Sequence, residues 1–141
     1  MTPTPDGNPS KPPELAEQGG FLSERELVSV GQFVQQWCEP KLLSDLFTRE
    51  ELTTVDDSSS PATVHQRLAA RYAAKCAALR LLELDDSNPN MRSVSVVTGD
   101  GGQPLMQFCS AAETAVAGRQ VFVTLSHDGD LSGALVAIEQ P

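Results

Sequence analysis

The segment from Arg67 to Glu83, RLAARYAAKCAALRLLE, is the most strongly helical stretch of the chain, and it sorts its side chains into two stripes. At about 100° per residue, three cations fall on one line of the helix and the large apolar side chains lie beside them. The cationic stripe is Arg67, Arg71 and Lys75, and the apolar stripe is Leu68, Tyr72, Leu79 and Leu82. The pattern alone fits either a solvated basic face on a core helix or an anion site, since cations four residues apart converge on a phosphate-sized target.

Length and composition narrow the fold and the class of function. The chain of 141 residues suits one domain, predicted at 21–141, after a tail at 1–20 that is rich in proline and glycine and predicted to be disordered. The tail lacks the regions of a signal peptide, and no apolar run is long enough to cross a bilayer. We therefore expect a soluble, cytoplasmic protein with no membrane partner.

Charge is distributed unevenly along the chain. A net charge of −9 argues against nucleic acid as a partner, because neutralising phosphates requires a basic surface. Four of the ten basic residues nevertheless lie between Arg67 and Arg80. This local excess favours the anion-site interpretation of the helix.

Cysteine and histidine positions argue against common metal and disulfide frameworks. Cys38, Cys76 and Cys109 are odd in number and widely spaced, unlike a disulfide scaffold or a cysteine-rich zinc site. His65 and His127 have no second ligand at helical spacing, so the sequence does not predict a transition-metal site.

Local signals predict the elements before the long helix. The β-branched run Glu26–Val30 favours a short strand followed by a helix over Gln32–Trp37, although Ser23 with Glu26 also fits a capping box that would start a helix there. The segment Phe47–Leu52, FTREEL, is a clear helix start with Thr48 as N-cap and Glu51 answering it. Ser60 followed by proline begins the long helix, predicted over 61–84, after a polar loop at 56–60 and before a turn at 85–90.

The remainder of the chain predicts antiparallel strands. Runs at 93–98 and 104–108 flank Gly99–Gly102 and indicate a hairpin, with the glycines favouring a permissive turn over a phosphate cradle. A short helix at 111–117 and strands at 121–125 and 133–138 follow. The predicted fold class is α+β, with an antiparallel sheet packed against the long helix.

Four motifs, in this order along the chain, resemble those of the holo-acyl-carrier-protein synthase group of 4′-phosphopantetheinyl transferases. They are FTREEL at 47–52, RLAARYAAKCAALRLL at 67–82, Gly102-Gln103-Pro104 in place of the family's Gly-Lys-Pro turn, and VFVTLSHDGDLSGALVAI at 121–138. The resemblance covers residues 24–139 and implies a homotrimer that binds coenzyme A between subunits. It also implies transfer of the phosphopantetheine arm to a carrier-protein serine, with Mg²⁺ held by an aspartate, a glutamate and the pyrophosphate.

The resemblance assigns roles to individual residues. Lys75 would contact a coenzyme A phosphate, with Ser126 and His127 near the same site. Gly102 and Pro104, together with Arg67 and Arg71 of the cationic stripe, complete the predicted cofactor-binding set. Lys75, His127, Cys76 and Glu26 are the candidate catalytic residues.

Three positions with a metal-binding or carrier-docking role in the family depart from its pattern. Where the family has Phe-Ala-Ala-Lys-Glu-Ala, this chain has Cys76 in place of the metal-binding glutamate. The family's Gly-x-Asp corresponds to 24–26, so Glu26 is the candidate metal ligand that remains, and Gln32 replaces an arginine that engages carrier protein. A thiol is a poor ligand for Mg²⁺, which prefers oxygen.

Two residues carry open interpretations. Cys76 is either inert filler beside the apolar stripe or, with Arg80 one turn on, a thiol of lowered pKa that acts as a nucleophile or acid. His127 is either a general acid or base or a hydrogen-bonded residue at a strand end.

Three functional hypotheses follow. The first is a divergent family member whose Mg²⁺-dependent transfer is lost or weak, with its interface cleft serving another reaction or binding role on a carrier-bound or polyketide-like small molecule. The second is a working holo-carrier-protein synthase, and the third is a non-catalytic interaction module.

Overall fold

The computed structural model describes residues 20–55 and 60–141, so the predicted tail apart from Gly20 and most of the predicted loop at 56–60 lie outside the described residues. The elements follow in chain order. They are β1 (Phe21–Ser29), α1 (Val30–Trp37), α2 (Pro40–Leu46), α3 (Arg49–Val55), α4 (Pro61–Leu81), α5 (Asn88–Arg92), β2 (Val94–Thr98), β3 (Pro104–Phe108), α6 (Ser110–Val116), β4 (Val121–Asp128) and β5 (Leu131–Glu139). None of the helices in these ranges is long and apolar enough to span a membrane.

The strands form two antiparallel sheets. The larger has the order β1-β5-β4, and β2 and β3 form a separate hairpin. Strand β1 pairs with β5 along its whole length, from Phe21 opposite Glu139 to Ser29 opposite Leu131. The helix α4 packs against β5 and β1, which confirms the predicted α+β fold with an antiparallel sheet on a long helix.

Small side chains let α4 lie close to the sheet. The alanines of its buried face have at most 5% of their surface exposed, and they are Ala69, Ala70, Ala73, Ala74, Ala77 and Ala78. The helix begins as predicted at Ser60, whose hydroxyl accepts a hydrogen bond from the Thr63 N–H. It ends at Leu81 rather than Leu84, because Glu83 turns into the left-handed region at φ 58°. Helices that end in this conformation usually have glycine there, so the glutamate did not indicate the end of the helix.

The N-terminal segment is a strand followed by a helix, as favoured. The strand starts earlier than predicted, at Phe21, and the alternative of a helix beginning at Ser23 is wrong. Pairing of β1 with β5 overrides the local capping-box pattern there. Two side chains cap helix α1. The Ser29 hydroxyl accepts from the Gln32 N–H, and Asp130 Oδ1 accepts from the Gly31 N–H at 3.0 Å.

The remaining predictions hold apart from one element. The hairpin of β2 and β3 forms, and Gly102 adopts φ 84° in the turn that joins them. The short helix also forms, one residue earlier than predicted, and the last two strands form with longer bounds. The predicted turn at 85–90 instead leads into α5, which starts with Pro89 in its first turn.

Candidate functional site

The first two motifs of the chain meet through a buried ion pair. Lys75 Nζ donates to Glu51 Oε1 at 2.6 Å, and neither side chain is exposed. The same carboxylate accepts from the Thr48 N–H at 3.0 Å and from the Val96 N–H at 2.8 Å. Burial lowers the pKa of Lys75, and the attraction of Glu51 partly offsets that effect. Lys75 therefore belongs to the core of the chain, and a phosphate would reach it only if the Glu51 pair gave way.

Arg71 is also buried, with 7% of its surface exposed. Its Nε donates to the Val96 carbonyl at 3.3 Å and its Nη2 to Thr98 Oγ1 at 3.5 Å, which ties α4 to β2. Burial lowers its pKa most strongly, with Glu51 acting in the opposite direction. The solvated-face interpretation of the cationic stripe is therefore wrong for Arg71 and Lys75, whereas Arg67 is partly exposed.

A cleft of about 720 Å³ lies between the β2–β3 hairpin and β4. Arg71, Gly102 and Pro104 of the predicted cofactor-binding set all line it. The rest of its lining is mostly apolar and includes Leu105, Met106, Val121, Phe122, Val123 and Leu125. The structure thus brings part of the predicted cofactor set into one concave surface.

Ser126 and His127 lie outside this lining, at the exposed end of β4. Ser126 is opposite Gly133 and His127 is opposite Ser132, so they face opposite sides of the sheet. His127 shares a face with Glu26, which is opposite Ala134 on the far side of β5. Two strand spacings and two residues separate them, so their Cα atoms are roughly 12 Å apart. Within one chain, these predicted residues do not form a single constellation.

Glu26 and its neighbour Glu24 are both engaged by Arg80. The guanidinium Nη2 donates to Glu26 Oε1 at 3.0 Å, and Nε donates to Glu24 Oε1 at 3.0 Å. Nη2 also donates to the Arg25 carbonyl at 3.2 Å. These side chains are partly exposed, with 44% of the Arg80 side chain accessible. The candidate metal ligand is therefore already paired with a cation of the protein.

Cys76 is half-buried beside this cluster, and its pKa is raised. Burial is the main cause of the raised pKa. The hydrogen bond with Tyr72 lowers the pKa, the charge of Glu26 raises it, and the charge of Arg80 lowers it. The expected lowering by Arg80 is outweighed by burial, which favours the inert-filler interpretation of Cys76 over the activated thiol. Burial, followed by Cys76, likewise raises the pKa of Tyr72 to about 12.

These residues do not suit Mg²⁺. The ion prefers near-octahedral oxygen ligands, whereas the position of the family's second carboxylate holds the thiol of Cys76 and Glu26 is bound to a guanidinium. In the described ranges, no group of three or more histidine, cysteine, aspartate and glutamate side chains is arranged to hold a metal ion.

A small cleft of about 180 Å³ lies next to Glu26, between β1 and α1. Gln32, Trp37 and Tyr72 also line it, so the position that matches the family's carrier-binding arginine faces the same region as the candidate metal position.

Sequence reasoning missed three partners in this region: Glu51 as the counter-ion of Lys75, Arg80 as the cation that holds Glu26, and Asp130 as a cap of α1. The sequence signal for Glu51 was its capping box, which predicts hydrogen bonds with Thr48 but does not predict the tertiary pair with Lys75. For Arg80, the sequence indicated a position one helical turn from Cys76 but not the contact with Glu26.

Comparison with known proteins identifies the family to which the chain belongs. It is 32% identical over 124 residues to the holo-[acyl-carrier-protein] synthase of Mycobacterium tuberculosis, a match that covers 82% of this chain and 94% of that protein. The solved M. tuberculosis acyl carrier protein synthase aligns with a TM-score of 0.62 at 27% identity, covering 84% of this chain and 96% of that one. A Chronobacterium ammoniagenes ACPS-CoA complex shares the fold, with a TM-score of 0.75 at 18% identity and coverage of 86% and 98%.

No protein-family model matches the sequence. Identity at this level over almost the whole length of the M. tuberculosis relative, together with the shared fold, is nevertheless decisive. The chain belongs to the holo-[acyl-carrier-protein] synthase family.

Proposed function

We propose that this chain is a divergent family member that binds coenzyme A and a carrier protein, but whose Mg²⁺-dependent phosphopantetheine transfer is lost or weak. The observation that carries the proposal is the contact of Arg80 Nη2 with Glu26 Oε1 at 3.0 Å, beside Cys76 at the second metal position. In a phosphoryl-transfer site, the loss of one preorganised charge contact costs about 3–4 kcal/mol in the barrier, a factor of hundreds in rate. The cleft would then serve another reaction or a binding role on a carrier-bound or polyketide-like molecule.

Coenzyme A is the proposed ligand of the 720 Å³ cleft. Related structures from C. ammoniagenes and Helicobacter pylori are complexes with coenzyme A. The cleft has the volume of an ordinary small-molecule site, and it combines apolar walls with the guanidinium of Arg71 and the hydroxyl of Thr98. In this proposal the apolar walls take the uncharged parts of the ligand, and Arg71 supplies positive charge at one end.

A homotrimer with the site at the subunit interface is part of the same proposal. The face of the β1-β5-β4 sheet that points away from α4 carries large apolar side chains, including Leu27 at 64%, Phe122 at 55% and Leu135 at 42% exposure. Apolar groups side by side on an open sheet favour burial against another protein surface. A subunit interface would also let His127 of one copy approach Glu26 of another, which the spacing within one chain does not allow.

Mass spectrometry of carrier proteins tests the proposal. The purified chain is incubated with coenzyme A, Mg²⁺ and several apo carrier proteins, and the M. tuberculosis relative serves as the positive control. We expect at most a trace of the mass increase that matches the phosphopantetheine arm. A robust increase would refute the proposed loss of transfer.

A working synthase is the second candidate, favoured by identity that extends over 94% of the M. tuberculosis relative. The Cys76→Glu variant separates the two. A large rise in transfer indicates a degraded metal site, whereas high activity in both proteins indicates a working enzyme that completes its metal shell with Glu26 and solvent.

A further inference from the structure

The start of β1 and the end of α4 are joined by one guanidinium that serves two carboxylates. Arg80 directs Nε to Glu24 and Nη2 to Glu26, each at 3.0 Å. Glu24 and Glu26 are two residues apart on one strand, so both carboxylates lie on the face of β1 that meets α4. The arginine thus lies between two groups that would otherwise attract a cation from solution.

We infer that Arg80 is a built-in replacement for the divalent cation, so that ligand binding beside Glu24 and Glu26 is independent of metal. The inference rests on the alignment of Glu26 and Cys76 with the metal positions, which the proposed function also uses. It goes further by naming the group that takes the metal's place.

The chemistry of the cluster favours the guanidinium over Mg²⁺. An arginine offers N–H donors in a fixed planar arrangement that matches carboxylate oxygens, and it pays no cost of recruitment from solution because it is covalently attached. Mg²⁺ gives up its water reluctantly and would have to displace these hydrogen bonds. The thiol of Cys76 offers it no oxygen in return.

The exchange also changes the charge of the site. Two carboxylates and one guanidinium leave one negative charge, whereas a divalent ion with the same carboxylates would leave none. A pyrophosphate at this position would therefore lack the compensation that charge build-up in phosphoryl transfer requires. This deficit supplies a physical reason for the weak transfer proposed above.

Binding of Mn²⁺, used as a spectroscopic probe of the Mg²⁺ position, tests the inference without coenzyme A or carrier protein. Electron paramagnetic resonance of the free ion gives the affinity of the full chain and of its variants. The variants are Cys76→Glu, the double variant Cys76→Glu/Arg80→Gln and Glu26→Gln. The control is the double variant Cys76→Glu/Arg49→Gln, which removes an exposed arginine from another helix.

We expect the unaltered chain to show no Mn²⁺ site that depends on Glu26. In the Cys76→Glu background, Arg80→Gln should tighten Mn²⁺ binding at least about tenfold, equivalent to about 1.4 kcal/mol. Arg49→Gln in that background should leave the affinity unchanged. Equal affinities with and without Arg80, in variants whose circular dichroism matches the unaltered chain, would overturn the inference.

The unaltered chain is also decisive by itself. If it binds Mn²⁺ at a site that Glu26→Gln removes, Arg80 does not replace the metal, even if the Arg80 variants fail to fold. Because no transfer is measured, failure of this inference is distinguishable from failure of the proposed function, which depends on the carrier-protein assay.

Discussion

Glu51 Oε1 accepts a hydrogen bond from Lys75 Nζ at 2.6 Å, in a part of the core where neither side chain is exposed. Because Glu51 also accepts the backbone N–H groups of Thr48 and Val96, this one carboxylate joins α3, α4 and β2. The lysine that the sequence marks as a candidate phosphate contact thus has a structural role that is visible in the single chain.

Removal of Lys75 should destabilise the fold. Lys75→Met leaves Glu51 buried without a counter-charge, and breaking one side of a buried pair costs about 3–5 kcal/mol in the free energy of unfolding. Urea denaturation followed by circular dichroism measures this loss. Arg49→Gln, an exposed change on α3, should stay within about 0.5 kcal/mol of the unaltered chain. A Lys75→Met protein as stable as that control would refute the structural role.

Alkaline titration should reveal the environment of Tyr72, which is the single tyrosine of the chain. Burial raises the pKa of the Tyr72 phenol to about 12 in the folded state, from an ordinary value of 10.0. The folded state therefore holds its proton more tightly, so this contribution to stability is complete below pH 10 and is lost as the pH rises towards 12. Phenolate absorbance in folded and urea-unfolded protein measures both values directly.

A Tyr72→Phe variant provides the matching stability measurement. Its free energy of unfolding should fall less steeply with pH above 10 than that of the unaltered chain. Coincident phenolate titrations in the folded and unfolded protein would contradict the raised pKa.

The alkylation rate of each cysteine should decrease as its burial increases. Burial raises the pKa of Cys76, whereas Cys109 is exposed, so Cys76 should react more slowly with iodoacetamide at neutral pH. Peptide mass spectrometry over time gives the two rates in one sample, with urea-unfolded protein as the control in which they converge. Faster labelling of Cys76 than of Cys109 would restore the activated-thiol interpretation.

Substitutions of Asp130 and His127, which lie three residues apart, should differ sharply in their effect on stability. Asp130 accepts the Ser29 hydroxyl at 2.7 Å and the Gly31 N–H at 3.0 Å, so Asp130→Ala should cost about 0.5–2 kcal/mol, the range for loss of a helix cap. His127 is exposed, and His127→Ala should change stability by less than about 0.5 kcal/mol. Thermal unfolding of both variants compares them, and equal losses would contradict this assignment.

Local chemistry made much of the fold predictable. The capping box at Thr48, the proline after Ser60 and the glycines of the hairpin turn each specify a helix start or a turn within a few residues. The end of α4 was missed because Glu83 takes a conformation that the sequence normally marks with glycine.

The site was less predictable because its contacts join distant parts of the chain. The Lys75–Glu51 bond spans 24 residues and the Arg80–Glu26 bond spans 54. Periodicity placed Arg71 and Lys75 correctly on one helical line, but it did not reveal that this line faces β2 and Glu51. The family resemblance identified Cys76 and Glu26 as altered positions, and only the tertiary structure revealed that Arg80 pairs with Glu26.

The most direct measurement of the central claim is thermal stabilisation by coenzyme A in the presence of Mg²⁺ and, separately, of EDTA. A ligand at a hundredfold over its dissociation constant adds about 2.7 kcal/mol to the free energy of unfolding when it binds only the native state. We expect the same stabilisation in both conditions, because Arg80 takes the place of the cation in the proposed site. Stabilisation that requires Mg²⁺, or none in either condition, would contradict it.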